Sequence, residues 1–316
     1  MKLKLLFGLL ALIPGSLYAQ NKNDEKIFLD SLELETKEKN HVYYRIVKDY
    51  KLEKVQYQIE EYYKSGNLMT KGFSSDKDII IKDGVFTTYY ENGTKKSTEF
   101  FIANRRTGEY SSWYENGNKK IEGIYVLIGD KEETVLKIDQ FWNAENIQMV
   151  KDGDGLYEEI ESDGTELKGN LKNGLKIGQW NGIGPKSEYT FKESYRNGKF
   201  VAGESILNQN KVTYTKIHEV AGSKLGLTDF SAYILKNLSL DGIDLPAYYL
   251  LKIYFIIDKN GNVSNINVDR SKYPKIEKRA FEAIKGYKNW QPAKSRGMLA
   301  NSVYIFPIRL SSTYKY

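Results

Sequence analysis

A short aromatic phrase recurs through the first two thirds of the chain and limits what it can fold into. Tyr62-Tyr63-Lys64-Ser65-Gly66-Asn67 returns as Tyr89-Tyr90-Glu91-Asn92-Gly93-Thr94 and as Trp113-Tyr114-Glu115-Asn116-Gly117-Asn118. A second phrase precedes it, in Asp83-Gly84-Val85-Phe86, Thr107-Gly108-Glu109-Tyr110, Asp154-Gly155-Leu156-Tyr157 and Ile177-Gly178-Gln179-Trp180. Gly84 to Gly108 is 24 residues, Gly108 to Gly155 is 47, and Gly155 to Gly178 is 23. The double step implies a degenerate unit, which Phe141-Trp142-Asn143-Ala144-Glu145-Asn146 fills without its turn glycine; Leu127–Thr134 reads as a lengthened loop. Such a period, with one hairpin per unit, is the mark of a stacked β array. Each unit reads as two short strands joined by an Asn-Gly or Ser-Gly turn, with rings along one face. A lone hairpin is marginal in water, so the units must stack to bury those rings.

The flanking segments read differently. Asn21–Asn40 is a charged opening, helical or loose, followed by a strand over Val42–Val47 with Tyr57-Gln58-Ile59 as its partner. After the repeats, Tyr214–Leu225 is a connector in which Ile217–Val220 reads as a last strand. Thr228 then suits a helix N-cap, Asp229 suits the positive helix end, and Phe230, Ile234 and Leu238 share one face before Asp241-Gly242 stops the helix. Leu251, Ile253, Phe255 and Ile257 alternate as in a half-buried strand, Asp258–Gly261 is a turn, and Val263, Ile266 and Val268 form the return strand. Pro274 opens a second helix with Ile276, Ala280, Ile284 and Tyr287 on one face, and a final strand ends in Phe306-Pro307-Ile308.

Charge and leader bound the partners. The net charge is +6, and residues from Ala247 onward carry 13 Lys/Arg against 4 Asp/Glu, or +9, so the body before them is mildly acidic. A basic end on an acidic body suits either an acidic partner or a solvated face. Lys2 and Lys4, the apolar run Leu5–Ile13 and Leu17-Tyr18-Ala19 have the layout of a secretory signal peptide leaving Gln20 first. Nine apolar residues fall short of the roughly 20 that a spanning helix needs.

The repeated phrases resemble MORN-type repeats, in the variants grouped with toxin–antitoxin-like proteins, over about Gln58–Gly203. The C-terminal pattern resembles the TonB C-terminal domain over about Leu227–Leu310. It is carried by Phe255, Gly261, Val263, Ala280, Trp290-Gln291-Pro292-Ala293, Gly297 and Phe306-Pro307. Together the resemblances imply a mainly β plus α+β chain. A MORN-like β-hairpin array would precede a TonB-like domain, an antiparallel sheet with helices on one face. Its parts are a leader (1–19), a lead-in segment (20–57), repeats (58–213), a connector (214–226), the TonB-like domain (227–311) and a tail (312–316). The TonB resemblance implies contact with a short periplasmic segment of an outer-membrane transporter, added as a strand to the sheet edge. Val303-Tyr304-Ile305 is the candidate edge, with Arg296 and Arg309 as nearby basic groups. An internal strand is the alternative for that segment. Energy-coupling relatives need a membrane helix and a Pro-rich linker, whereas this chain has six prolines and a short leader.

Chemistry is excluded by elimination. There are no cysteines and only His41 and His218, so no conventional Cys/His metal site is expected. Asp152-Gly153-Asp154-Gly155 opens like a calcium loop but lacks the later ligand and glycine, and reads as a hairpin turn. Asn181–Pro185 lacks the Lys-Ser/Thr of a phosphate loop. Glu60-Glu61 and Glu158-Glu159 are adjacent, so a strand sends their members to opposite faces. The expected function is a periplasmic, non-catalytic envelope interaction protein that needs no cofactor or metal and no nucleic acid. It would retain no transmembrane helix once the leader is cut. An anchored energy transducer and a glycan- or lipid-surface binder are the alternatives. Mass spectrometry of the mature protein should find Gln20 at the N-terminus; retention of Met1–Ala19 would restore the anchored reading.

Overall fold

The computed structural model describes residues 21–128, 133–245, 249–269 and 273–310. The proposed leader, Pro246 and the tail lie outside them. Sixteen antiparallel strands, each bonded to the next in chain order, form one long sheet from Glu25–Leu29 to Asn210–Tyr214. A second body follows, with two helices (Leu227–Asn237 and Pro274–Gly286) and a three-stranded sheet. In that sheet Tyr249–Ile257 lies between Val263–Asp269 and Ser302–Leu310. Among the described residues no helix is long and apolar enough to cross a membrane.

Stacking of the units has a specific chemical cause. In each repeated phrase strand alternation turns the second aromatic to the buried face. There its hydroxyl donates to a backbone carbonyl in the next unit: Tyr63 to Tyr89 at 2.8 Å, Tyr90 to Trp113 at 2.9 Å, and Tyr114 to Trp142 at 2.9 Å. The turn asparagines repeat the step, Asn67 donating to the Glu91 carbonyl and Asn92 to that of Glu115. A residue two strands away is thereby held in register, which sheet hydrogen bonding between neighbours alone does not do. Toward the C-terminal end of the array, rings pack in sequence from Phe141 through Tyr157 and Trp180 to Tyr195.

Glycine serves two purposes. At Gly108 and Gly178 the chain has φ of +67° and +64°. Both sit where the pairing register slips, so they form bulges that an L side chain would strain. At Gly169 the need is space: a Cβ there would lie 2.4 Å from Cγ of Trp180, whose indole lies across the glycine.

Several expectations change. The charged opening is helical only in a 3-10 turn at Glu38–Asn40: Glu25–Leu29 is the first strand of the sheet and pairs with Tyr43–Val47, so the array begins ahead of residue 58. Ile27 and Leu29 supply the alternation that its charge obscured, and both are buried. The expected loop at Leu127–Thr134 is a lengthened hairpin in which Leu127 pairs with Thr134; residues 129–132 lie outside the description. The missing turn glycine of the degenerate unit is replaced by Asn146 at φ +60°, a conformation asparagine tolerates. Thr228 is not the N-cap. The helix starts at Leu227 after Gly226, whose φ of +92° turns the chain and which gives no side-chain cap. His218–Glu219 does not close the array; it pairs with Ala293–Ser295 in the C-terminal body.

Burial raises the hydroxyl pKa of Tyr63 and Tyr90 and pushes that of Tyr114 up to about 12. The native state therefore holds these protons more tightly than the unfolded chain. Their contribution is complete below the ordinary phenol value of 10 and is lost as pH rises toward about 12. An alkaline unfolding transition in that window, followed by phenolate absorbance, is the expected result. Tyr90→Phe should lower stability by about 1 kcal/mol in denaturant titration. Gly169→Ala should cost more, about 1–3 kcal/mol, because the indole must move.

Candidate functional site: an open sheet edge and the joint behind it

Ser302–Leu310 is an edge strand. It pairs along its whole length with Tyr249–Ile257, and no described strand lies on its other side. Alternation divides its side chains: Phe306, Ile308 and Leu310 are buried, and Val303, Ile305 and Arg309 are exposed. Tyr304 turns inward and packs on Phe255 at 5.3 Å and Trp290 at 5.6 Å between ring centroids. Pro307 has no N–H to give a neighbour, which an edge strand tolerates better than an internal one. Of the residues singled out for partner contact, Val303, Ile305 and Arg309 share the exposed face. Tyr304 belongs to the core cluster around Phe230, Phe255 and Trp290.

Arg296 is elsewhere, and it is no surface group. With Gly297 it forms the tip of a hairpin between Ala293–Ser295 and Met298–Ala300, both residues at positive φ. That tip enters the array. Arg296 is 1% exposed; its Nε donates to Glu193 at 2.9 Å, and Nη1 and Nη2 donate to Glu161 at 3.0 and 2.7 Å. The guanidinium also lies 4.3 Å from the Phe191 ring centroid. Around it, Tyr195 and Tyr214 donate their hydroxyls to Glu193, and Ser205 donates to the Arg296 carbonyl. Burial would lower the Arg296 pKa, but the Glu161 hydrogen bonds and the charges of Glu193 and Glu161 outweigh it, so the group stays cationic. Burial first, and the Glu193 charge second, hold Tyr195 and Tyr214 far above the phenol range.

Glu161 explains how the joint arises from the repeat. Its turn has the same backbone bonds as those at Tyr63, Tyr90 and Tyr114, with Glu161 N bonded to Thr165 O and Gly164 N to Glu161 O. Glu161 thus occupies the ladder position, and its carboxylate accepts from Arg296 of the C-terminal body where a tyrosine would donate to the next unit. The repeat pattern contained that signal, a charged residue where tyrosine belongs. Its partner, 135 residues later, lies beyond any local pattern.

The expected hairpin turn at Asp152-Gly153 is present, and Asp154 binds Lys172 at 2.5 Å. Glu61 bonds Arg45 on the buried face while Glu60 lies near Lys48 on the other. Among the described residues no group of three or more His, Asp or Glu could hold a metal. No protein-family model matches the chain, and no curated protein matches its sequence.

Removing one partner of a buried ion pair leaves the other uncompensated, at a cost of about 3–5 kcal/mol. Arg296→Ala is therefore expected to release the C-terminal body from the array. Limited proteolysis should cut first near residues 214–226, and calorimetry should show two transitions in place of one. A single unshifted transition would show that the tip does not hold the bodies together.

Proposed function

We propose that the chain is a secreted, non-catalytic interaction protein of the cell envelope. Its C-terminal body, of the TonB C-terminal type, takes up an extended segment of a protein partner by strand addition along Ser302–Leu310. The MORN-like array is the scaffold that carries it. The observation that supports this most is the strand order, in which Ser302–Leu310, like Val263–Asp269 at the other edge, has one neighbour among the described strands. Main-chain groups on its open side would supply affinity, and the row of Val303, Ile305 and Arg309 would select the sequence. A cation at Arg309 favours a segment with an acidic residue near one end, such as the periplasmic segment of an outer-membrane transporter. The periplasm is the compartment that the leader implies, and no cofactor is required for this role.

The test uses the full chain and a synthetic transporter segment of that kind. Amide hydrogen exchange should show added protection confined to residues 302–310. Ile305→Pro, which removes a main-chain donor, should weaken binding by about tenfold or more. Val303→Glu with Ile305→Glu should weaken it for acidic segments in particular, with circular dichroism unchanged. Protection elsewhere, or binding indifferent to both variants, defeats the proposal.

A further inference from the structure

The array carries a second column of aromatic rings, on the face opposite the ladder. Tyr62, Tyr89, Trp113 and Trp142 each precede a ladder position, so alternation turns them away from the buried side. All four are half-buried, unlike the inner rings Phe86, Phe101 and Phe141. They stand on every second strand of the sheet. The backbone positions that carry successive rings are therefore about 9–10 Å apart, twice the strand spacing. Core packing does not require them, because Phe101, Ile121 and Phe141 already fill the inner side.

Cations lie between the rings. The Lys95 and Lys119 ammonium groups are 5.0 and 4.6 Å from the Trp113 ring centroid. Lys119 also bridges to Glu122 at 2.8 Å, while Lys95 has no carboxylate within bridging distance among the described residues. Toward the N-terminus the column continues in Tyr44, stacked on Tyr62 at 4.9 Å, with Lys26 4.1 Å from its centroid. The Tyr62 hydroxyl donates to Glu60, so that end is acidic as well as aromatic.

We propose that this column binds a linear β-1,4-linked polysaccharide carrying one carboxylate per disaccharide. A pyranose ring presents a face of C–H bonds that stacks on an aromatic ring. Each β-1,4 link turns the next sugar by half a rotation, so the same face returns at every second ring. That repeat matches two strand spacings, about 9–10 Å. A sugar stacking on Trp113 displaces one lysine stem, whose ammonium then meets the carboxylate. From Tyr62 to Trp142 there are three such intervals, roughly 29 Å, so a hexasaccharide reaches three of the four rings and a heptasaccharide all four. A bilayer surface fits less well, because the carboxylates of Glu60 and Glu122 stand on the same face.

The experiment titrates the full chain with a hexasaccharide of alternating N-acetylglucosamine and N-acetylmuramic acid, followed by tryptophan fluorescence and calorimetry. Binding is expected, with weaker binding of the neutral N-acetylglucosamine hexamer. Trp113→Ala should weaken binding by about tenfold with unchanged circular dichroism. Lys95→Gln, which leaves every ring in place, should weaken the acidic hexamer severalfold and the neutral one not at all. Ile305→Pro should have no effect, which separates this site from the sheet edge. The proposal is overturned if the acidic hexamer fails to bind at millimolar concentration, or if its binding survives both Trp113→Ala and Lys95→Gln. It is likewise overturned if the chain binds anionic phospholipid vesicles and the hexamer does not compete.

Discussion

A two-stranded hairpin has one face of rings and nothing of its own to cover them, and the architecture of this chain follows from that deficit. Stacking covers the rings, but bare hydrophobic contact would allow neighbouring hairpins to slide. The tyrosine ladder removes that freedom. Each hydroxyl is part-buried against the carbonyl of one residue in the next unit, and an unmade bond there forfeits that hydrogen bond. One phrase thus does two jobs: its glycine or asparagine makes the turn, and its second ring sets the distance to the next turn. The first ring of the phrase takes no part in either, which is why its position on the opposite face is available for other use.

The array cannot extend indefinitely, because its last strand would expose an unpaired edge and a half-covered core. The C-terminal body meets that end with one buried cation. Glu193, with no exposed side-chain surface, accepts from two tyrosines and from Arg296. Such a network is worth little as net stability, since removing ions from water costs several kcal/mol each. Its value is positional: only one placement of the Arg296–Gly297 tip satisfies every donor and acceptor. At Gly297 a Cβ would lie 2.8 Å from Val212, so the tip is also matched in shape. With the tip seated, the edge strand Ser302–Leu310 is held at a defined attitude to the scaffold.

Much of this was legible in the residues. The repeat and its spacing led to the hairpin array, and the alternation of Leu251 to Ile257 with the Asp258–Gly261 turn led to the central hairpin of the second body. Pro274 marked the second helix correctly, because a missing N–H is harmless at a first turn. The opening strand Glu25–Leu29 was hidden because only Lys26 and Phe28 alternate with its two buried residues, too short a pattern to stand out from the charged residues around it. Arg296 was misplaced for a related reason: a cation in a turn looks like a surface group until its partners come from another body.

What the sequence determined by itself is everything that depends on local period: the hairpin unit, its turn chemistry, the alternation that separates inner from outer rings, and the helix faces. These follow from backbone geometry and side-chain size over a few residues. Which strands of the C-terminal sheet would be left with a single neighbour among the described residues, and where the Arg296 guanidinium would go, were decided only by the tertiary structure. Both depend on groups far apart in the chain: the sheet pairs strands about fifty residues apart, and Arg296 meets Glu193 and Glu161, 103 and 135 residues away. Burial in a low-dielectric interior makes their pairing obligatory, and no periodicity along the chain records it.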